Sequence, residues 1–213
     1  MLSSQVAVVI LNWNGKSFLE KFLPNIIKYS QGAQIVVADN QSSDNSVAFL
    51  KENFPEVNII INPSNDGFAK GYNLALKQVQ AEFYVLLNSD VEVTQNWIEP
   101  IINLMQSDSK IAACQPKILD YNQPSKFEYA GASGGFIDKY GYPFCRGRIF
   151  NVLEEDKGQY DTTKEVFWAT GACMFVRAEA FWKVGGFDDD YFAHMEEIDV
   201  CWRMKNIGYQ IFI

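Results

Sequence analysis

Short apolar runs alternate with helix-length segments through the first half of this chain, and this alternation limits the folds that it can adopt. Runs rich in Val, Ile and Leu occupy residues 6–11, 34–38, 58–61 and 83–87, and helical patterns cover 17–29, 44–53 and 69–79. Strand–helix units of this length predict a mostly parallel sheet with helices on both faces and right-handed crossovers. Ser17 and Glu20 have the spacing of a capping box, which predicts where the first helix begins.

The middle of the chain is less regular. A helix is predicted over 97–105 and a strand over 111–115, whereas residues 117–164 are rich in Gly, Tyr, Pro and Asn and have no helical period. We expect irregular structure with short antiparallel strands in this segment, lying over the edge of the sheet. Long loops at such an edge usually carry specificity.

Regular structure is predicted to resume as a strand over 173–176 and helices over 178–184 and 196–207. A length of 213 residues suits one α/β domain over 1–213, in which residues 1–115 form a nucleotide-binding half. Residues 211–213 have the pattern of an interrupted strand, so we expect the native protein to continue beyond them.

Charge and cysteine content narrow the class of protein. The net charge is -8 and no Lys/Arg cluster is long enough to follow a phosphodiester backbone, which argues against a nucleic-acid partner. Four cysteines without Cys-x-x-Cys spacing and a single histidine, His194, argue against a zinc site and suggest reduced, buried thiols. Without a signal peptide or an apolar run of about 20 residues, we expect a cytoplasmic protein that at most lies on the inner face of a membrane.

A candidate metal ligand follows the fourth apolar run. Residues 83–87 end at the polar triplet Asn88, Ser89 and Asp90, so a buried strand delivers a carboxylate to the carboxyl edge of the sheet, where ligands of open α/β folds bind. A lone carboxylate there suits Mg²⁺ or Mn²⁺ shared with nucleotide phosphates. The alternative is that Asp90 only caps the following helix.

Three further polar clusters stand where predicted strands end or helices begin. They are Asn12-Trp13-Asn14-Gly15, the segment 39–44 that begins Asp39-Asn40, and the segment 65–73 that contains Gly67, Phe68, Gly71 and Asn73. Free backbone N–H groups and glycines at the start of a helix allow a phosphate or a sugar to approach closely. The coincidence of four clusters at one sheet edge is more specific than any one of them.

Together these segments resemble glycosyltransferase family 2, inverting enzymes of the GT-A fold that use nucleotide-sugar donors. The resemblance covers nearly the whole chain, and the Leu-Asn-x-Asp form at 87–90 is most similar to rhamnosyltransferase-like members. The segment 171–177, Gly-Ala-Cys-Met-Phe-Val-Arg, and the segment from Gly185-Gly186-Phe187-Asp188 to Arg203 also resemble family motifs. The resemblance implies a Rossmann-like GT-A sheet and an acceptor-binding half at 116–213.

The resemblance also implies roles for the polar clusters. Asp39 would accept a hydrogen bond from the imide N–H of a pyrimidine base, and the neighbouring donor-binding positions would include Asn40 and Ser89. Asn12 and Asn14 would line the nucleoside pocket, although Asn at a strand end is also an ordinary turn residue. The floor under the ribose and donor sugar would consist of Gly67, Phe68, Gly71 and Asn73, with helix packing as the alternative for Phe68.

The triplet departs from the more common Asp-x-Asp of the family because Asn88 holds its first position. An amide can bind a ribose hydroxyl but adds no charge, which leaves Asp90 as the carboxylate for Mg²⁺ or Mn²⁺. The family's general base lies in a Glu-Asp-x-Asp segment, which here is Glu196-Glu197-Ile198-Asp199. Glu197 is therefore the first candidate for the base and Glu196 the second.

The position of these glutamates has two further consequences. Acidic residues in the first turn of a helix can simply complement its dipole, and the same position is expected to lower their pKa. Asp199 and Arg203, four residues apart, are expected to pair on one helix face.

The function implied is transfer of a sugar from a dTDP- or UDP-sugar to an acceptor hydroxyl on a glycan or lipid-linked glycan of the cell surface. One alternative is an inactive nucleotide-sugar-binding module on the same fold. A NAD-dependent oxidoreductase is a further alternative, but Asn12-Trp13-Asn14-Gly15 stands where its Gly-x-Gly-x-x-Gly would be.

Overall fold

The computed structural model describes residues 5–213, which form twelve strands and six helices. The strands are β1 (Val6–Asn12), β2 (Gln34–Asp39), β3 (Asn58–Ile61), β4 (Phe83–Asn88), β5 (Ile111–Cys114), β6 (Gly135–Ile137), β7 (Pro143–Cys145), β8 (Arg148–Ile149), β9 (Val152–Leu153), β10 (Glu165–Val166), β11 (Cys173–Arg177) and β12 (Gln210–Phe212). The helices are α1 (Lys16–Tyr29), α2 (Ser46–Asn53), α3 (Phe68–Leu76), α4 (Glu99–Ser107), α5 (Ala178–Lys183) and α6 (Glu196–Asn206).

Eight strands form one sheet in the order β10-β12-β5-β11-β4-β1-β2-β3. The pairs β1–β2, β1–β4, β2–β3 and β5–β12 are parallel, whereas β11 runs antiparallel between β4 and β5, and β10 runs antiparallel to β12. The predicted mostly parallel α/β fold is therefore confirmed. The sheet brings the ends of β1, β2 and β4 to one edge, since Asn12 pairs with Asp39 and Leu11 with Asn88.

Two apolar layers cover the faces of the sheet. Strand β1 contributes Ala7 and Val9 to the layer that includes α3, α5 and α6, and Val8 and Ile10 to the layer that includes α1 and α4. All four side chains are fully buried. A strand covered on both faces needs apolar residues at every position, which is why β1 has a continuous rather than an alternating apolar sequence.

Local predictions about side-chain pairs have mixed outcomes. The capping box is wrong: α1 begins at Lys16, Ser17 lies within its first turn, and no side chain caps it. Glu20 instead forms a salt bridge with Lys16, 3.1 Å away. The pair on α6 is confirmed, with Arg203 Nε donating to Asp199 Oδ2 at 2.8 Å. The four cysteines are free and buried, as expected.

The segment between β5 and β11 contains two antiparallel hairpins, β6–β7 and β8–β9, joined by turns. This arrangement agrees with the prediction of irregular structure with short antiparallel strands. Its inner side is closed by Trp168, which packs on Gly135 and donates from Nε1 to the carbonyl of Phe136 at 3.0 Å. Trp168 is consequently a core residue.

Candidate active site

The ends of β1 and β2 are joined by a buried hydrogen-bond network. Asn12 Nδ2 donates to Asp39 Oδ2 at 2.8 Å and to Ser42 Oγ at 3.2 Å. Ser42 donates to the same carboxylate twice, from its hydroxyl to Oδ2 at 2.7 Å and from its backbone N–H to Oδ1 at 2.8 Å. Asp39 is completely buried, so three donors satisfy a carboxylate that has no contact with water.

A carboxylate offers about four acceptor positions, two on each oxygen. The three donors to Asp39 occupy both positions on Oδ2 and one on Oδ1, leaving one position on Oδ1. Ser42 thus holds a central place in this network. It lies in the polar segment 39–44 but was not among the predicted site residues, although Asp and Ser side chains in turns commonly bond to nearby backbone groups.

Asn14 connects the loops that follow β1 and β2. Its backbone has a left-handed φ of 50°, a conformation that Asn tolerates better than most residues. Its Oδ1 accepts hydrogen bonds from the backbone N–H groups of Ser43 at 2.8 Å and Asp44 at 3.2 Å. The Asn14 side chain is therefore engaged in holding the 42–44 loop against β1, and its predicted contact with a nucleoside stays a prediction.

A second buried network joins the ends of β2 and β3 to α3. Asn62 Nδ2 donates to Asn40 Oδ1 at 2.7 Å and to the carbonyl of Gly71 at 3.0 Å. Asn40 Nδ2 in turn donates to the carbonyl of Gly67 at 3.0 Å. Asn62 was missed from the sequence, although it follows β3 immediately, as Asn40 follows β2. Both amides are buried, and their Nδ2 donors hold the carbonyls of Gly67 and Gly71 at the start of α3.

Gly67 and Gly71, at the start of α3, lie against other protein atoms. A Cβ on Gly67 would lie 2.2 Å from the carbonyl oxygen of Phe192, and a Cβ on Gly71 would lie 2.6 Å from Asn40 Nδ2. Both positions therefore have no room for a side chain, and their predicted place under the ribose and donor sugar stays a prediction. The first N–H of α3 is also used, because Phe68 donates to Phe192 at 2.5 Å.

Asn73 ties α3 to the loop before α6. Its Nδ2 donates to the carbonyl of Phe187 at 2.8 Å and to Asp189 Oδ1 at 2.7 Å, and its Oδ1 accepts from the N–H of Phe187 at 3.0 Å. A Cβ on Gly186 would lie 2.7 Å from the same Oδ1. Asn73 therefore positions the Gly-Gly-Phe-Asp segment, a contact across more than 110 residues that no local pattern could indicate.

The triplet after β4 is the most open part of the site. Asn88 donates its backbone N–H to the carbonyl of Ala172 at 3.0 Å, and Asp90 is exposed. Both residues line a cavity of about 480 Å³ whose far wall includes Lys117, Tyr121 and Glu128. The 116–128 segment therefore lies over the edge of the sheet, as predicted for this part of the chain.

The residues near Asp90 fit one kind of metal site. Within residues 5–213, no group of three or more His, Cys, Asp and Glu side chains is arranged to hold a metal ion. The side chains of this part of the chain are therefore not suited to enclose a metal ion by themselves. A single exposed carboxylate fits a hard cation that takes its other oxygen ligands from water and a diphosphate.

Glu196 and Glu197 begin α6 beside α3. Phe68 Cζ and Glu196 Oε1 lie 3.5 Å and 3.8 Å from the point where a Cβ on Gly171 would be. Gly171 precedes Ala172, whose carbonyl contacts the triplet, so Glu196 stands close to the loop that supports Asn88. Oε2 of both glutamates is buried without a hydrogen-bond partner.

The expected lowering of the glutamate pKa values is wrong. Burial, with the neighbouring Glu197 charge, raises the pKa of Glu196 to about 7, and burial also raises the pKa of Glu197. The dipole of α6 acts in the opposite direction, but desolvation of a carboxylate with an unpartnered oxygen outweighs it. Paired carboxyl groups with raised pKa values are typical of acid–base sites.

The remaining candidates lie apart from this edge or face solvent. Arg177 Nε donates to the carbonyl of Ile111 at 3.3 Å, which is a structural role at the other end of β11. A second cleft of about 460 Å³ near Arg177 and Lys110 contains none of the predicted site residues. His194 is exposed and has a left-handed φ of 71°.

Comparisons with known proteins show the family and the fold to which this chain is similar. The sequence model of Glycosyl transferase family 2 matches residues 7–185. The N-acetylglucosaminyl-diphospho-decaprenol L-rhamnosyltransferase of Mycobacterium tuberculosis is 22% identical over 98% of this chain and 73% of its own length. Rhamnosyltransferase WbbL of Escherichia coli is 24% identical over 97% of this chain and 79% of its own length.

The crystal structure of GalNAc-T7 with UDP, GalNAc and Mn²⁺ superimposes with a TM-score of 0.75 at 16% identity, over 98% of this chain and 42% of that one.

The family match and the fold together define a glycosyltransferase of the GT-A type. The chain belongs to glycosyl transferase family 2 and is similar to its rhamnosyltransferases. It spans about three quarters of the length of these curated relatives and less than half of the solved structure.

Proposed function

We propose that this chain transfers a sugar from a dTDP- or UDP-sugar to an acceptor hydroxyl, with inversion at the anomeric carbon, during synthesis of a cell-surface polysaccharide or glycan. The observation that carries the proposal is the meeting of Asn12, Asp39 and the Asn88–Asp90 triplet at one edge of a parallel sheet. Ligands of open α/β folds bind at this edge. In this proposal residues 1–115 bind the donor and 116–213 the acceptor.

The nucleoside would lie against the ends of β1 and β2. Asp39 has one acceptor position left on Oδ1, which suits the imide N–H of a pyrimidine. Because Asp39 is fully buried, the 41–43 loop would have to shift to admit the base. Asn88 and Ser89, half-buried beside this edge, would contact the ribose and phosphates.

A divalent cation, Mg²⁺ or Mn²⁺, would be held by Asp90 together with the donor diphosphate. When bound, it would supply positive charge that offsets the charge of the departing diphosphate. The M. tuberculosis and E. coli relatives are named as rhamnosyltransferases, and the GalNAc-T7 structure contains Mn²⁺. Exposure of Asp90 leaves its carboxylate free to enter such a shared coordination shell.

Glu197 would take the proton from the acceptor hydroxyl, with Glu196 beside it. Glu197 is half-buried, whereas Glu196 is only 4% exposed, so Glu197 is the more accessible of the two residues. Burial raises the pKa of both carboxyl groups toward neutrality, where a general base is most effective. The negative charge of Glu197 favours the protonated form of Glu196. Glu197 would then be the base, and Glu196 would be its neutral neighbour.

The acceptor would be a glycan or a lipid-linked glycan, and the enzyme would work in the cytoplasm at the inner face of a membrane. The name of the M. tuberculosis relative includes a diphospho-decaprenol acceptor. In residues 5–213, no helix has the length and apolar character needed to cross a bilayer. Peripheral association with the membrane would bring such an acceptor to the site.

The test is the thermal stability of the protein with UDP, dTDP, GDP and NAD, each with and without Mn²⁺. A ligand that binds only the folded state raises the melting temperature. We expect stabilisation by UDP or dTDP that depends on Mn²⁺ and disappears in Asp90→Ala. No response to any diphosphate, or a response to NAD alone, would contradict the proposed function.

A further inference from the structure

The β8–β9 hairpin carries three apolar side chains that no other part of the described chain covers. Ile149, Phe150 and Val152 are 68%, 88% and 70% exposed. Ile149 and Val152 are paired directly across the hairpin, so they lie on the same side of it, and Phe150 is at its turn. Exposed single apolar residues are ordinary, but three adjacent ones on the turn of a hairpin call for an explanation.

Phe150 has an unfavourable backbone conformation as well as an exposed side chain. Its φ is 51°, in the left-handed region that bulky residues rarely adopt. Asn or Gly would fit this turn better. The left-handed backbone and the exposed ring of Phe150 both cost free energy, and no burial within residues 5–213 offsets them. This indicates that a contact outside this part of the chain compensates for the two costs.

The surroundings of this turn are also unusually apolar. Residues 129–152 include seven of the fifteen large apolar side chains that are exposed in the described chain, and these are Tyr129, Tyr140, Tyr142, Phe144, Ile149, Phe150 and Val152. Tyrosine is enriched where proteins meet the headgroup region of a bilayer, since its ring is apolar and its hydroxyl remains hydrated. The exposed aliphatic residues of the hairpin suit the deeper acyl boundary.

The charge of this region has the opposite sign to the rest of the protein. Residues 129–152 contain three basic side chains, of which Arg146 is partly buried, and one acidic one, a net charge of +2, in a chain whose net charge is -8. Lys139 lies 4.9 Å from the ring centre of Tyr140, and Arg148 lies 4.1 Å from that of Tyr129. Neither cation forms a salt bridge with any residue of the described chain.

We propose that the β6–β7 and β8–β9 hairpins dock this protein on an anionic lipid surface, with Ile149, Phe150 and Val152 inserted among the lipids. Cationic and aromatic residues around an apolar turn match the negative charge and the apolar interior of such a surface. A second copy of this chain fits less well, because it would bring the same positive charge to the contact. This proposal deepens the proposed function, since it rests on a lipid-linked acceptor.

The first test is flotation of the whole protein with vesicles. We expect binding to vesicles containing phosphatidylglycerol and weaker binding to pure phosphatidylcholine. The variant Ile149→Ser/Phe150→Ser/Val152→Ser should bind at least about tenfold more weakly, given the apolar area withdrawn from lipid. The matched control is Phe18→Ser/Ile207→Ser, which removes exposed apolar residues of the same kinds from α1 and from the end of α6 and should bind like the parent.

The second test reports directly on insertion. All four native cysteines are buried, and burial raises the pKa of Cys114 and Cys201 to about 12, so an introduced surface cysteine can be labelled selectively. An environment-sensitive fluorophore on Phe150→Cys should shift to shorter wavelength with phosphatidylglycerol vesicles. The same label on Ile207→Cys should not shift. Equal spectra at the two positions would overturn the proposal.

The outcomes separate this proposal from the proposed function. If the parent does not float with anionic vesicles, or if the hairpin variant floats equally well, membrane docking is wrong, even where Mn²⁺-dependent nucleotide binding persists. If the hairpin variant instead converts a dimer to a monomer in sedimentation, the hairpin is an interface between copies and the proposal is also wrong. Retained melting temperature and retained nucleotide binding in the variant show that it is folded.

Discussion

Asn12 Nδ2 lies 2.8 Å from Asp39 Oδ2, and this hydrogen bond joins the ends of two neighbouring parallel strands inside the protein. The same carboxylate accepts two hydrogen bonds from Ser42, so one buried anion determines the path of both loops. The candidate site therefore includes a buried network that also holds two loops of the fold together. Its contribution to stability and its contribution to binding have to be measured separately.

Asp39→Asn is expected to destabilise the protein. The amide keeps the shape of the side chain but replaces one acceptor oxygen with an NH₂ donor. In one orientation this donor faces the Ser42 N–H, and in the other it faces the donors from Asn12 Nδ2 and the Ser42 hydroxyl. Loss of charge-assisted hydrogen bonds in a buried position should cost about 2–3 kcal/mol in free energy of unfolding. Urea unfolding measures this loss of free energy of unfolding, and Asp190→Asn, at an exposed position, is the control. A change of less than about 0.5 kcal/mol would show that the network is unimportant.

Gly71→Ala should be destabilising only while Asn40 retains its amide. The new Cβ would lie 2.6 Å from Asn40 Nδ2, and Asn40 cannot withdraw because Asn62 and Gly67 hold both ends of its amide. We expect a cost of about 1–3 kcal/mol in the parent. In an Asn40→Ala background the same change should be neutral or stabilising, because Ala is the better helix former. Equal costs in both backgrounds, measured as a double-mutant cycle, would contradict the steric explanation.

Glu196 should make stability depend on pH. Its pKa rises from the ordinary value of 4.5 to about 7 in the folded chain, so between these values the folded state holds a proton that the unfolded state has released. The free energy of unfolding therefore falls as pH rises through this window. Glu196→Gln should remove the penalty and add about 3 kcal/mol at pH 8 but little at pH 4.5, because one pKa unit corresponds to about 1.4 kcal/mol. Urea unfolding at the two pH values measures this change in the free energy of unfolding, and Glu52→Gln, at an exposed position, is the control. A gain in stability that is the same at both pH values would be inconsistent with a raised pKa of Glu196.

Glu197→Gln should reduce the rate of sugar transfer by about 10²–10⁴-fold while nucleotide binding is retained, since loss of a general base affects the chemical step. Glu196→Gln should have a smaller effect on the rate and should alter its pH profile, because Glu196 neighbours the base. Steady-state kinetics with a nucleotide-sugar donor, together with binding of the diphosphate, separates the two roles. Transfer at the parent rate by Glu197→Gln would exclude it as the base.

The sheet and its polar edge were accessible from the sequence because both depend on local patterns. Continuous apolar runs indicated β1 and β4, and polar clusters after them indicated where ligands would bind. The antiparallel insertion of β11 between β4 and β5 was not accessible, since pairing with β4 joins segments about 90 residues apart. Asn62 and Asp189 were missed for the same reason: their partners, Asn40 and Asn73, are set by tertiary packing.

The pKa values of the two glutamates show most clearly what local sequence patterns cannot predict. Their place in the first turn of α6 indicates a lowered pKa, because the helix dipole is a local property of the chain. Burial in the folded chain, where Glu196 lies close to Gly171, has the larger effect and the opposite sign. The carboxyl groups could be identified from the sequence, whereas the direction of their pKa shifts depends on their three-dimensional surroundings.

The most direct test of the account is calorimetric titration of UDP and dTDP into the protein with and without Mn²⁺, comparing Asp90→Ala with Glu92→Ala. Glu92 is an exposed carboxylate on the wall of the same cavity, two residues farther along. The account predicts that Mn²⁺ strengthens diphosphate binding in the parent and in Glu92→Ala but not in Asp90→Ala. Binding that is equally strong without the metal, or equally enhanced by it in Asp90→Ala, would contradict the account.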